Sequence, residues 1–275
     1  MKDITLKELL EAGCHFGHKK ERWNPKAAKF IYEAREGIHI IDLVKTRDNL
    51  KKAGEFLENL GKEGRTFIIV ATKRQAKGIV IEASKKSGAN YLTNRWVGGF
   101  LTNWDEVKKN IDKMNQMHRE KTDGTWQKKF LKHEIVGLEK ELRKIDMVYG
   151  GVADLLKPPD AVFIVDVKRE VICLKEAVRR GLPVIAIVDT NSDPTDVDYV
   201  IPANDDAIGS IQLIVNYLTD CYREGREMRE KEMGRASEKT MMGGKVEEVA
   251  KIEKVEKKAE KVEAKVKKEK KPKKN

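Results

Sequence analysis

Four uninterrupted apolar runs stand out in an otherwise strongly polar chain: TFIIVA at 66–71, AVFIVD at 161–166, PVIAIVD at 183–189 and YVIP at 199–202. Runs without polar alternation have both faces covered, so they predict strands of a buried parallel sheet. Helical patterns lie between them, over 73–87 and over 171–180, the second stopping at Gly181. Another begins near Asn204 and carries Ile208, Ile211, Ile214, Leu218 and Tyr222 on one stripe. Strand and helix in alternation predict an open α/β sheet with helices on both sides. IHIID at 38–42 is a further strand, paired with FIY at 30–32 as a hairpin. At the N-terminus Thr5 and Glu8 form a capping box, Ile4 and Leu9 a hydrophobic staple, and Gly13 suits the left-handed stop.

One insertion breaks the alternation. Trp104, Val107, Ile111 and Met114 recur at spacings of three and four, and the repeat resumes at Leu131, Ile135, Leu138, Leu142 and Ile145. The turn signal TDGTW, residues 122–126, separates the two stripes. This predicts an antiparallel, coiled-coil-like helical hairpin over 104–149 with a short Asp-Gly turn, projecting from the sheet because its other faces are charged. Beyond residue 226 the chain alternates Lys and Glu with isolated Val and Ala. Val246, Val249, Ile252 and Val255 could line a weak helix, but low hydrophobicity makes disorder in isolation the expectation for 227–275. Residues 1–226 are then the α/β domain and 227–275 a lysine/glutamate-rich tail.

Charge sharpens this division. The formal net charge is +11, of which thirteen lysines against seven glutamates in residues 245–275 carry +6. A basic balance favours polyanionic partners over acidic substrates, and the remaining +5 makes the body moderately basic. Three widely spaced cysteines, Cys14, Cys173 and Cys221, indicate neither a disulfide framework nor a zinc finger, and reduced thiols are expected. The capped N-terminal helix does not read as a signal peptide, and eighteen consecutive apolar residues occur nowhere.

Candidate chemistry falls in four places. The segment NRWVGGFLTNW, 94–104, mixes Arg95 and two side-chain amides with Trp96, Phe100, Leu101 and Trp104 around Gly98–Gly99. It fits a cationic, partly aromatic nucleic-acid surface, and equally a buried aromatic corner that anchors the following helix. HFGH places His15 and His18 three apart in what reads as a tight loop. Lys19, Lys20, Arg22, Trp23, Asn24 and Lys26 follow, offering cations for phosphates and a ring for stacking, or else solvated charges around a buried Trp23. After the first apolar run, TKRQAKG has no phosphate-loop or dinucleotide glycines. Lys73 and Arg74 instead open a helix whose N-terminal amides suit one phosphate. Finally Asp166, Asp189, Asp193, Asp205 and Asp206 follow the later strands. They could converge on a metal with His15 and His18, or serve as turn and cap residues. If they worked catalytically, the chain would be a magnesium-dependent phosphohydrolase or a nucleotide-binding protein; no set of catalytic residues presents itself, and no cofactor is implied.

Three motifs in fixed order decide between these classes. LLEAGCHFGHKKERWNPKAAKFIYEAREGIHIIDLVKT, NRWVGGFLTNW and LPVIAIVDTNSDPTDVDYVIPANDDAI together resemble the bacterial-type second protein of the small ribosomal subunit, over roughly residues 3–226. Cys14 stands where that family usually has an aliphatic residue, Asn94 where it has histidine, and Val97 where it has leucine. The resemblance implies a three-layer, flavodoxin-like parallel sheet with a protruding helical hairpin. It implies a non-enzymatic constituent of cytoplasmic ribosomes, lying between head and body of the small subunit on its solvent side. Its partners would be small-subunit rRNA and neighbouring ribosomal proteins, including the large mRNA-binding one, with no membrane and no small-molecule substrate. Lys19, Lys20, Arg22, Trp23, Asn24, Lys26, Lys73, Arg74 and Arg95 are then the expected RNA-binding residues. The lysine-rich tail lies outside the resemblance.

Overall fold

A computed structural model describes residues 3–234 of the chain. The chain divides into two compact units, residues 1–226 and 227–275. In the second, residues 227–234 are helical where disorder was expected. The weak helix expected from Val246 to Val255 lies outside the described residues.

The first unit centres on five parallel strands: β4 (Phe67–Val70), β5 (Asn90–Leu92), β6 (Ala161–Ile164), β7 (Val184–Val188) and β8 (Tyr199–Pro202). Their spatial order is β5-β4-β6-β7-β8, which in chain order is 2-1-3-4-5, the flavodoxin-like winding. The unbroken apolar runs have a direct cause. Phe67 and Ile69 enter one core while Ile68 and Val70 enter the other, and Phe163 and Ile164 divide in the same way. Helices α1 (Leu6–Glu11), α2 (Leu43–Lys62), α3 (Arg74–Ser87) and α8 (residues 208–226) close the first core. Helices α4 (Trp104–Thr122), α5 (Thr125–Lys129), α6 (Lys132–Tyr149) and α7 (Val171–Arg179) cover the second.

Local signals explain the element ends. Thr5 and Glu8 form the capping box of α1, Gly13 takes a positive φ of 77°, and Gly181 one of 65° after α7. The stripe of α8 is buried at Ile211, Ile214, Leu218 and Tyr222, but Ile208 is exposed. Helices α4 and α6 run antiparallel, cross-linked by Lys113–Glu141 at 2.5 Å and Lys121–Glu139 at 3.0 Å. Their connection is longer than the expected Asp-Gly turn, because α5 is inserted there to bury Trp126. Leu131, expected on the buried stripe, is the exposed N-cap of α6.

A small antiparallel sheet joins β1 (Phe16–Lys19), β3 (Ile38–Ile41) and β2 (Ile31–Arg35) in the order β1-β3-β2. The β2–β3 hairpin is the expected one. Strand β1 is not: the HFGH segment, expected as a tight loop, is extended because Phe16 pairs with Ile40 and Lys19 with Ile38. Helix α2 and the three-residue β5 were also unforeseen. Cys14, Cys173 and Cys221 are buried and free. Among the described residues no helix is long and apolar enough to cross a membrane.

Candidate nucleic-acid interface

The carboxyl ends of parallel strands are where an open α/β sheet offers its crevice, at the point where strand order reverses. Here that point lies between β4 and β6, and the chain fills it with its own charges. Lys73, just past β4, is only 12% exposed at its side chain, and its ammonium sits 2.9 Å from Asp166, 2.8 Å from Asp205 and 2.8 Å from Asp206. Burial works against the charged lysine, but Asp205 and the bonds to all three carboxylates overcome it and hold Lys73 above the ordinary lysine range. The expected phosphate contact at Lys73 is therefore displaced by an internal one: the side chain turns inward. Arg74, the first residue of α3, stays exposed.

The aspartates expected to converge do so in part. Asp189 Oδ2 is 3.1 Å from His18 Nδ1, and Asp206 Oδ2 is 3.4 Å from His18 Nε2. Asp193 stands apart on the surface, where Lys26 at 2.7 Å and Thr195 hold its pKa down to about 2. His15 also stays outside; it packs on Phe16 and its buried Nδ1 has no partner. His18 is raised above its usual range, first by its bond to Asp189. Asp205 is pushed up to about 7, chiefly by burial and then by the charges of Asp166 and Asp189. One of its oxygens meets Lys73; the other, Oδ2, is buried without a partner. His18, Asp189 and Asp205 each offer one ligand atom, all within 4.8 Å of one another, a mixed nitrogen and oxygen set suited to a divalent cation.

Thr190, unremarked in the sequence, ties the N-terminal segment to this edge. Its hydroxyl accepts from His18 N at 2.8 Å, its carbonyl accepts from Asn24 N at 2.7 Å, and a Cβ on Gly17 would lie 2.6 Å from its methyl. The following basic run is thereby presented at the surface. Lys19, Lys20 and Arg22 are exposed, and Trp23 keeps 40% of its surface while leaning on His39 at 5.4 Å between ring centroids. Asn24 has a local task, capping the helical turn Pro25–Phe30 by accepting from Lys26 N at 3.0 Å.

The Trp-Gly-Gly segment is organised by a residue the sequence reading passed over. Glu176 of α7 reaches into the loop and accepts from Gly99 N at 2.7 Å, Leu101 N at 3.0 Å, Trp96 Nε1 at 3.1 Å and Thr102 Oγ1 at 3.4 Å. Arg180 completes the clamp by donating from Nε to Leu101 O at 2.7 Å. A visible signal existed: Cys173, Leu174, Glu176 and Ala177 form the inward stripe of α7, so a carboxylate there needs internal donors. The buried aromatic corner is present, and it leaves the segment's cation outside. Phe100, Leu101 and Trp104 form a buried aromatic corner, while Arg95 remains exposed beside half-buried Trp96. The structure thus joins Lys73, the His18 strand and the basic run at the sheet edge, and carries Arg95 separately on the α7 side.

The sequence also matches known proteins along this whole body. Residues 9–225 match the family model described as Ribosomal protein S2. The chain is 47% identical over 232 residues to a protein of Dictyoglomus thermophilum named small ribosomal subunit protein uS2, covering 84% of this chain and 94% of that one. Proteins of the same name from Geotalea uraniireducens and Koribacter versatilis are 44% identical over 229 residues and 43% over 233. These cover 83% and 85% of this chain, and 89% and 77% of theirs.

Proposed function

The chain belongs to the ribosomal protein S2 family, and on that premise we propose that it docks on folded small-subunit rRNA through exposed basic loops of the α/β body. It is a structural ribosomal protein and not an enzyme. The match over nearly the entire body carries this reading, and the geometry supports it. The crevice where a nucleotide would sit holds Lys73 and three aspartates instead. Lys19, Lys20, Arg22, Trp23, Lys26, Arg74 and Arg95 supply the RNA contacts; Lys73 and Asn24 have internal duties. Phosphate contacts hold position and shape complementarity gives specificity. Residues 1–226 act as the docking domain, and the lysine-rich 227–275 adds attraction to RNA. A neighbouring ribosomal protein, the large mRNA-binding one, docks beside it on cytoplasmic ribosomes. Affinity for small-subunit rRNA should fall with salt by roughly 0.7–0.9 log unit per log unit of salt for each phosphate contact. A flat salt response would overturn the reading.

A divalent cation on His18, Asp189 and Asp205 is a second element of the proposal. The orphaned Asp205 Oδ2 and the 4.8 Å cluster of ligand atoms favour it. The ion would clamp β1 to the sheet edge. Elemental analysis of the purified protein should find one equivalent of metal, lost in Asp189→Asn; metal-free protein of unchanged stability and assembly would sink the idea.

A further inference from the structure

Residues 168–180, KREVICLKEAVRR, present charge of one sign to solvent. Both glutamates turn inward: Glu170 is 4% and Glu176 9% exposed. Glu170 accepts from the Thr72 hydroxyl, and Glu176 holds the loop that carries Arg95 and Trp96. Lys168, Arg169, Lys175, Arg179 and Arg180 are all exposed, giving a surface charge of +5 with no exposed carboxylate in the segment. Among the described residues Lys168, Lys175 and Arg179 make no ion pair within 4.0 Å. Arg169 and Arg180 are tethered by Nε alone, to Thr72 Oγ1 and Leu101 O, both at 2.7 Å.

On the hairpin, three exposed lysines are answered by carboxylates. Lys109, Lys113 and Lys121 each meet a glutamate, at 2.6, 2.5 and 3.0 Å. On α7, Lys175 and Arg179 stand four residues apart with no anion on their face, since Glu176 turns inward, and like charges at that spacing repel. Ile172, 63% exposed, and Val171 and Val178 lie among the cations.

We infer that the outer face of α7, with Arg95 on the loop that Glu176 holds, is a docking surface for the phosphate backbone of folded RNA. The inference rests on the ribosomal reading above and assigns it a surface to which the motif residues contributed only Arg95. Arginines at both ends offer forked donors matched to phosphate oxygens, lysines supply point charges, and the aliphatic residues lie against ribose. An acidic protein segment is the competing occupant, which single-sign charge alone would also attract; the arginine content favours phosphate.

The test uses the full chain carrying Lys168→Gln, Lys175→Gln and Arg179→Gln together. A control removes three paired lysines instead, Lys7, Lys62 and Lys86, whose partners are Glu11, Glu58 and Glu82. Binding to small-subunit rRNA is measured across salt, with melting curves alongside. The α7 variant should melt like the parent yet lose about tenfold or more in affinity, its log–log salt slope shrinking by roughly 2. The control should change both by much less. Equal effects in variant and control would overturn the α7 surface while leaving RNA binding intact. A parent protein that binds no rRNA would overturn the ribosomal reading and this one with it. Unchanged RNA affinity with lost subunit incorporation would assign the face to a protein neighbour instead. If the triple variant misfolds, Lys175→Gln alone decides the matter, with an expected slope change of roughly 0.7–0.9.

Discussion

Lys73 and Glu176 are both charged groups withdrawn from solvent at the ends of the sheet, and the fold satisfies them in opposite ways. Lys73 is answered by charge: three carboxylates within 2.9 Å, with Asp189 and His18 behind them. Glu176 is answered by dipoles: two backbone N–H groups, an indole and a hydroxyl, with no ion pair to a cation among the described residues. The first centre holds more carboxylates than cations, so it invites protons or a metal and responds to pH. The second is neutralised by geometry alone, because donors from residues 96 to 102 of one loop converge on a single carboxylate. Charge compensation holds several distant segments together; dipole compensation holds one loop in one shape. That loop carries Arg95.

The largest effect should come from breaking the charge-compensated centre. Lys73→Met leaves buried aspartates facing each other and should cost about 3–5 kcal/mol in chelator-treated protein near pH 8, with a smaller loss near pH 5. Denaturant titration at both pH values checks it; equal losses would mean that the aspartates do not need the ammonium.

Next, Glu176→Gln keeps the shape but turns an amide NH₂ toward loop donors. It should cost about 1–3 kcal/mol and change the near-ultraviolet circular dichroism of Trp96. A silent spectrum would show that the loop holds itself without the carboxylate.

A smaller effect separates the centres by pH. Asp205 is raised to about 7 in the folded chain, above its unfolded value. The folded state therefore holds a proton that the unfolded one releases, and this contribution is greatest below about pH 4 and lost as pH rises toward about 7. His18, also raised, adds loss in the same direction above its ordinary range. Metal-free Asp205→Asn should therefore gain stability relative to the parent as pH rises from about 4 to 7, followed by thermal melts. A constant difference across that range would contradict the assignment.

The smallest stability effect belongs to Arg95→Ala, within about 0.5 kcal/mol because the side chain is exposed. Incorporation into small subunits should nevertheless fall, measured by sedimentation of reconstituted particles. Full incorporation would mean that the loop's shape matters and its cation does not.

What the sequence determined by itself is local or periodic. Unbroken apolar runs located four of the five parallel strands, spacings of three and four located the hairpin helices, and Thr5, Glu8, Gly13 and Gly181 marked helix ends, because each signal acts within a few residues. Three motifs in order identified the family. Tertiary structure alone decided which strands are neighbours, and it made strands of Phe16–Lys19 and Asn90–Leu92 by pairing them with Ile38–Ile40 and Ile68–Val70. It also turned Lys73 from an expected RNA ligand into the hub of a buried cluster and gave Glu176 the Trp96 loop. Those outcomes depend on partners 132 and 75 residues away, as for Lys73–Asp205 and Glu176–Leu101. A side chain's residue type states which partners it needs, but only the folded chain brings a particular partner within hydrogen-bonding distance.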